Sequence, residues 1–238
     1  MLADLHRRRV IGRFSAGMAR DFRHWRMVIF PMLMSIIAGS VGLVELHASC
    51  VSRGEHGLLL LGPSRSGKST LAMAFAEAGF RFVADDRTFC SLNEGQLLVS
   101  GLPRPLKLRS EAGAWFDEFR SREAMDVQNG ERVFYHEPDR TGPGSSAACS
   151  PMALVFLERQ PTSGFRMTRM GREARSLIEQ DFLAEAPAAV QRQAVILDQL
   201  LALPCLRLQY GGAPQDIAQQ LCGTFSDFSE SGLRVGTT

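Results

Sequence analysis

The chain has 238 residues, 45% of them hydrophobic, and a net charge of +2 at neutral pH. That length and composition suit one ordinary domain with a real core. The charge is too small to make the whole chain an electrostatic partner for nucleic acid. It is also uneven: residues 1–26 hold seven arginines against two aspartates, so the rest is mildly acidic. An arm of this kind is most often a solvated face, with an acidic partner or a membrane surface as the alternatives. The five cysteines are odd in number and scattered, with no C-x-x-C pair. This argues against a disulfide framework and a zinc site, and fits reduced thiols in a cytoplasmic setting.

Residues 27–44 carry no charge and follow the basic stretch. A signal anchor is one reading. Pro31, two glycines, two serines and a marginal length favour instead a buried helix over 30–40 and a buried strand over 42–51, with no cleavage signal. Residues 52–57 read as a turn. "LLLLG" at 58–62 is a continuous apolar run, as expected of a strand covered on both faces. A helix over 68–78 places Leu71, Phe75 and Ala78 on one face and stops at Gly79. Residues 81–86 form a short strand ending in Asp85 and Asp86. Strands at 87–92 and 96–99 flank a turn at 93–95.

Further on, two prolines in 101–116 suggest an exposed crossing. Strands are expected at 131–138, 152–159 and 204–212, with a loop at 139–150. Helices are expected at 171–182, 187–202 and 213–222. Val190, Ala194, Leu197 and Leu201 form the repeating face of the second. The whole reads as an α/β domain with a mixed sheet. A basic leader covers 1–29, the domain 30–225 and a flexible tail 226–238.

Gly62, Pro63, Ser64, Arg65, Ser66, Gly67, Lys68 and Ser69 match G-x-x-x-x-G-K-[ST] at every fixed position, and Thr70 follows. Glycines let the backbone curl so that successive N–H groups face an anion, and the following helix points its positive dipole end at the same place. Lys68 can reach terminal phosphates. The Ser69 hydroxyl can bind Mg²⁺. The turn is therefore a candidate cradle for a nucleoside triphosphate, ATP in the first instance.

Phosphoryl transfer also needs a group that orients or deprotonates the acceptor. Asp85 and Asp86, at the end of the next strand, are the candidates, because ligands of open α/β sheets lie at strand carboxyl ends. Adjacent strand residues point to opposite faces. The two acids therefore have different tasks, one as base and one in the metal shell. Asp86 is the preferred base and, with Ser69, the metal-site candidate. His47, in the strand upstream, is the third piece; a lone histidine on a strand is more often a satisfied core or edge residue.

Together these residues resemble the catalytic domain of the HPr kinase/phosphorylase family, and more closely its kinase-like relatives in bacterial biosynthetic gene clusters. The segments that carry the resemblance are "LHASCV" at 46–51, "LLLLGPSRSGKSTLA" at 58–72, "GFRFVADDRT" at 79–88, "PRPLKLR" at 103–109, "ALVFLER" at 153–159 and "LPCLRLQYGGAPQDIAQQL" at 203–221. The resemblance implies a P-loop kinase fold of the HPr kinase/phosphoenolpyruvate carboxykinase type. It implies transfer of the ATP γ-phosphate, with Mg²⁺, to a serine of a protein or peptide, and a family tendency to form homo-oligomers. It places the family's active-site histidine on His47, orienting an acid, and the strand-end acids on Asp85 and Asp86.

Three departures stand against it. The leader is short where the family has a separate N-terminal domain. Lys107 stands where the family has a metal-supporting Glu, with Glu111 nearby. Arg140 is the nearest counterpart of a later catalytic arginine. These weaken the case for the reverse phosphorolysis and for HPr as acceptor, and leave a biosynthetic precursor peptide as the expected substrate. The competing readings are a small-molecule kinase of the shikimate or nucleotide type, with Arg166, Arg169, Arg172 and Arg175 as a lid, and an inactive nucleotide-binding adaptor.

Overall fold

A computed structural model describes residues 2–4, 7, 9–126, 130–137, 148–181 and 187–226. The proposed tail and Arg140 lie outside the described residues, apart from Ser226. The strands in chain order are β1 (Leu2–Asp4), β2 (Arg9–Ile11), β3 (Val44–Leu46), β4 (Ala48–Arg53), β5 (His56–Leu61), β6 (Arg81–Ala84) and β7 (Thr88–Asn93). They continue with β8 (Gln96–Gly101), β9 (Leu106–Arg109), β10 (Met125–Asp126), β11 (Arg132–His136), β12 (Ala148–Arg159), β13 (Gly164–Arg169) and β14 (Cys205–Gly211).

The main sheet runs β3-β7-β8-β12-β5-β4-β6, with β14 on the other side of β12 and β13 at its edge. β12 is parallel to β5 and to β14, and the remaining pairs are antiparallel. The mixed α/β class expected from the sequence is the class observed. β9, β10 and β11 form a separate three-stranded sheet.

The four leucines of β5 explain why the sheet needs helices on both faces. Leu58 and Leu60 pack with Leu71, Phe75 and residues of helix Pro214–Ser226. Leu59 and Leu61 enter a second core with Ile178, Ile196 and Leu200, from helices Glu173–Glu179 and Pro187–Ala202. Alternation along one strand thus divides a uniformly apolar run between two cores.

Strand direction brings several chain segments to one edge. β6 is antiparallel to β4, and β4 is antiparallel to β5. β5 and β6 therefore end on the same side, where β4 begins. Ala48 is the register partner of Leu61, and Phe156 lies opposite Leu61 on the other flank. Residues 47, 62, 85 and 159 all emerge at this edge.

Several expectations change. The strand expected over 42–51 is two strands broken at His47, whose amide donates to the Asp181 carboxylate at 2.8 Å instead of entering a ladder. The supposed exposed crossing contains β9, with Leu106 and Leu108 buried, then short helices at Ser110–Gly113 and Asp117–Arg120 around buried Phe116. Within the expected loop at 139–150, residues 148–150 already belong to β12. β13 adds a strand that the sequence pattern does not indicate. Helix Pro187–Ala202 buries Gln193, Ile196, Leu197 and Leu200, while Val190 and Ala194 face outward.

The apolar helix near the N-terminus differs most. It runs continuously over Phe22–Val41, across the expected leader boundary, and is long and apolar enough to cross a membrane. Only 17% of its apolar window is buried, so it is a surface helix rather than the buried one expected. Ala38 packs with Phe89 and Leu102. Phe22, Val28, Phe30 and Val41 are exposed. A π-helical turn at Trp25–Ile29 precedes Pro31, whose ring is incompatible with ordinary i→i−4 bonding.

Candidate active site

The loop after β5 turns through Gly62 (φ 143°), Arg65 (φ 70°) and Gly67 (φ 92°). Gly67 is required twice over: its φ is left-handed, and a Cβ there would lie 2.1 Å from the Tyr210 hydroxyl. That hydroxyl donates to the Ser66 carbonyl at 2.7 Å, pinning the loop to β14. Helix Lys68–Glu77 follows, with Gly67 at its N-cap and no side chain bonding its first amides. The Ser66 hydroxyl is buried without a hydrogen-bond partner. A helix N-terminus without a side-chain cap and an unpartnered buried hydroxyl together suit an anion.

Lys68 is folded back on the loop. Its Nζ donates to the Gly62 carbonyl at 2.7 Å and to that of Pro63 at 3.2 Å. Burial lowers its pKa from the ordinary lysine value, opposed by the charges of Asp86, Asp85 and Asp181.

β6 ends at Ala84, so Asp85 and Asp86 lie just past the expected strand end, and it is a left-handed turn at Asp86 rather than strand alternation that sends them apart. Asp85 is 4% exposed, and its Oδ1 accepts from Ser49 Oγ at 2.6 Å and from Ser69 Oγ at 2.8 Å. Burial and the neighbouring Asp86 charge raise its pKa to about 6, partly offset by the two hydroxyl donors and Arg104. Asp86 is partly exposed, with a left-handed backbone (φ 60°), a conformation that Asp tolerates better than most residues. Arg104 Nη2 lies 3.7 Å from its Oδ2 and donates to the Asp85 carbonyl. The carboxylate touching Ser69 is thus Asp85 and not Asp86, the partner expected from the sequence.

His47 stands beside the acids but does not touch their carboxylates. Its Nδ1 is 3.3 Å from the Asp86 backbone carbonyl. The expectation that it orients an acid side chain becomes a contact with that acid's main chain.

A cavity of about 390 Å³ joins these parts, within the range typical of ligand pockets. His47, Ser64, Arg65, Gly67, Lys68, Ser69, Thr70 and Asp86 line it. Gly62, Pro63 and Ser66 complete the turn beneath. Five cations border the cavity (Arg65, Lys68, Lys107, Arg109 and Arg159) against the carboxylates Asp86, Glu111 and Glu131. The excess suits a polyanion. Lys107 and Arg109 both pair with Glu131, at 3.3 and 2.7 Å.

Arg159 and Glu131 were not singled out from the sequence. Arg159 closes the apolar run of β12, so the carboxyl-end rule could have found it. Nothing in the sequence marks Glu131.

No protein-family model and no curated protein matches this chain. Among solved structures it is similar to the Hpr(Ser) kinase/phosphatase from Coxiella burnetii, with a TM-score of 0.36 and 11% identity over 78% of this chain and 92% of that chain.

Proposed function

We propose that the chain is an ATP-dependent kinase that transfers the γ-phosphate to a serine hydroxyl of a protein or precursor peptide. The observation that carries this reading is convergence: the loop from Gly62 to Thr70 and the acids just past β6 meet at one sheet edge, joined through the Ser69–Asp85 hydrogen bond. The choice of serine follows the resemblance of the sequence segments above.

In this reading the loop amides and Lys68 hold the phosphates, and Arg159 adds charge from the neighbouring strand. Ser69 and Asp85 offer hard oxygen ligands that fit Mg²⁺, an ion that takes much of its shell from phosphate and water. When bound, Mg²⁺ neutralises phosphate charge. Asp86 faces the cavity as general base. The serine oxygen forms a bond to the γ-phosphorus while the bond to the β,γ-bridging oxygen breaks. ADP leaves with that electron pair, and the serine proton passes to Asp86. His47 steadies the Asp86 main chain. The five free thiols support a cytoplasmic setting.

The test is incubation with labelled ATP and a serine-containing peptide mixture, read by mass spectrometry for new phosphoserine. Label dependent on Lys68 and Asp86 is expected. Bound ATP without transfer to any peptide would refute the kinase reading; absence of ATP binding would refute the site.

A further inference from the structure

The edge formed by His47 and Asp86 has a second side. Beyond it lies a cleft of about 490 Å³, separate from the cavity at the phosphate loop but sharing these two residues with it. One wall is apolar: Met27, Val28, Pro31 and Met32 of helix Phe22–Val41. The opposite wall is charged but balanced. Arg87 pairs with Glu45 at 2.6 Å, and Arg104 stands 3.7 Å from Asp86.

The apolar wall is held in place from both ends. Arg26 makes a two-pronged pair with Glu137 at 2.6 and 2.9 Å and donates to the Pro103 carbonyl at 3.1 Å. About two and a half turns further along, Ser35 accepts from Arg87 and donates to the Pro31 carbonyl. Methionine side chains on such a wall adapt to varied apolar shapes.

We propose that this cleft is the acceptor site, and that it selects a serine flanked by uncharged, apolar residues. The inference rests on the kinase reading with Asp86 as base. A hydroxyl entering from the helix side meets Asp86 with the phosphate loop beyond it. Its neighbours then lie against Met27, Val28 and Met32. The charges opposite are already paired with one another, so an acidic or basic neighbour would gain no free partner and would lose hydration against the apolar wall.

The experiment uses the full chain, labelled ATP and a degenerate peptide library with one fixed serine. Apolar residues beside the labelled serine should be enriched about tenfold over charged ones. Met32→Glu should shift that preference towards Lys and Arg; Val28→Glu, at an exposed position that tolerates a charge, supplies a second and independent shift. Labelled serines without apolar preference, or an unchanged preference in both variants, overturn the inference and leave the kinase reading standing. A library without label, with ATP still bound, overturns the kinase reading itself.

Discussion

Ser69 Oγ donates to Asp85 Oδ1 at 2.8 Å across the junction between helix Lys68–Glu77 and the segment that follows β6. This contact ties the anion cradle to the acid pair. It also sets the two acids apart in position: Asp85 is buried behind the Ser49 and Ser69 hydroxyls, while Asp86 is partly exposed and lines both clefts.

Asp86→Asn removes the proposed base and leaves the cradle intact. Phosphate transfer should fall about 10²–10⁴-fold, with ATP affinity within a few-fold of wild type. Transfer rate and equilibrium nucleotide binding, measured side by side, check this.

Lys68→Ala removes the cation now held by the Gly62 and Pro63 carbonyls. Loss of a donor to the developing charge should lower transfer about 10²–10³-fold. Circular dichroism should show the fold retained, because the two carbonyls can turn to water.

Asp85 has a folded-state pKa of about 6, above its ordinary value of 3.8. The stability it contributes is fully present below about pH 3.8 and is lost as pH rises through 6. Asp85→Asn should therefore gain stability relative to wild type as pH rises from 4 to 7, by roughly 1–3 kcal/mol at neutral pH. Transfer by the wild type should decline below about pH 6 as Asp85 takes up a proton. Melting curves and rates over pH 4–8 test both signs.

Tyr210→Phe deletes the 2.7 Å bond to the Ser66 carbonyl without changing ring packing. A buried acceptor left unpaired costs about 1–3 kcal/mol, and the loop loses its tie to β14. KM for ATP should rise more than kcat falls. Gly67→Ala is harsher, since the added carbon meets the Tyr210 hydroxyl and the left-handed backbone is strained; nucleotide binding should be lost.

The loop, its helix and the acids after it were legible because each carries a local rule: fixed glycine spacing, helical periodicity, a strand end. The roles of the acids were not. Which carboxylate meets Ser69 depends on the left-handed turn at Asp86 and on Ser49 of a strand 36 residues earlier than Asp85. His47 was visible as a residue but not as a break in the strand, because the group that draws off its amide, Asp181, is 134 residues away. β13 hid because it pairs on one side only and is almost wholly exposed, with Met167 alone partly buried, so no core demands an apolar face of it. The surface helix hid for the opposite reason: an uncharged run suggests an interior, and only the fold shows how little of it is covered.

The division of the β5 leucines between two cores has a mechanical consequence. The cradle is hinged to a strand gripped from both faces, so neither helical layer can peel away and free it alone. Amide protons of Leu59 and Leu60 should be among the slowest to exchange with deuterium, opening only with the whole domain. The loop just beyond them thereby inherits a rigid footing, and any give needed to admit a ligand must come from its own few glycine-flanked residues.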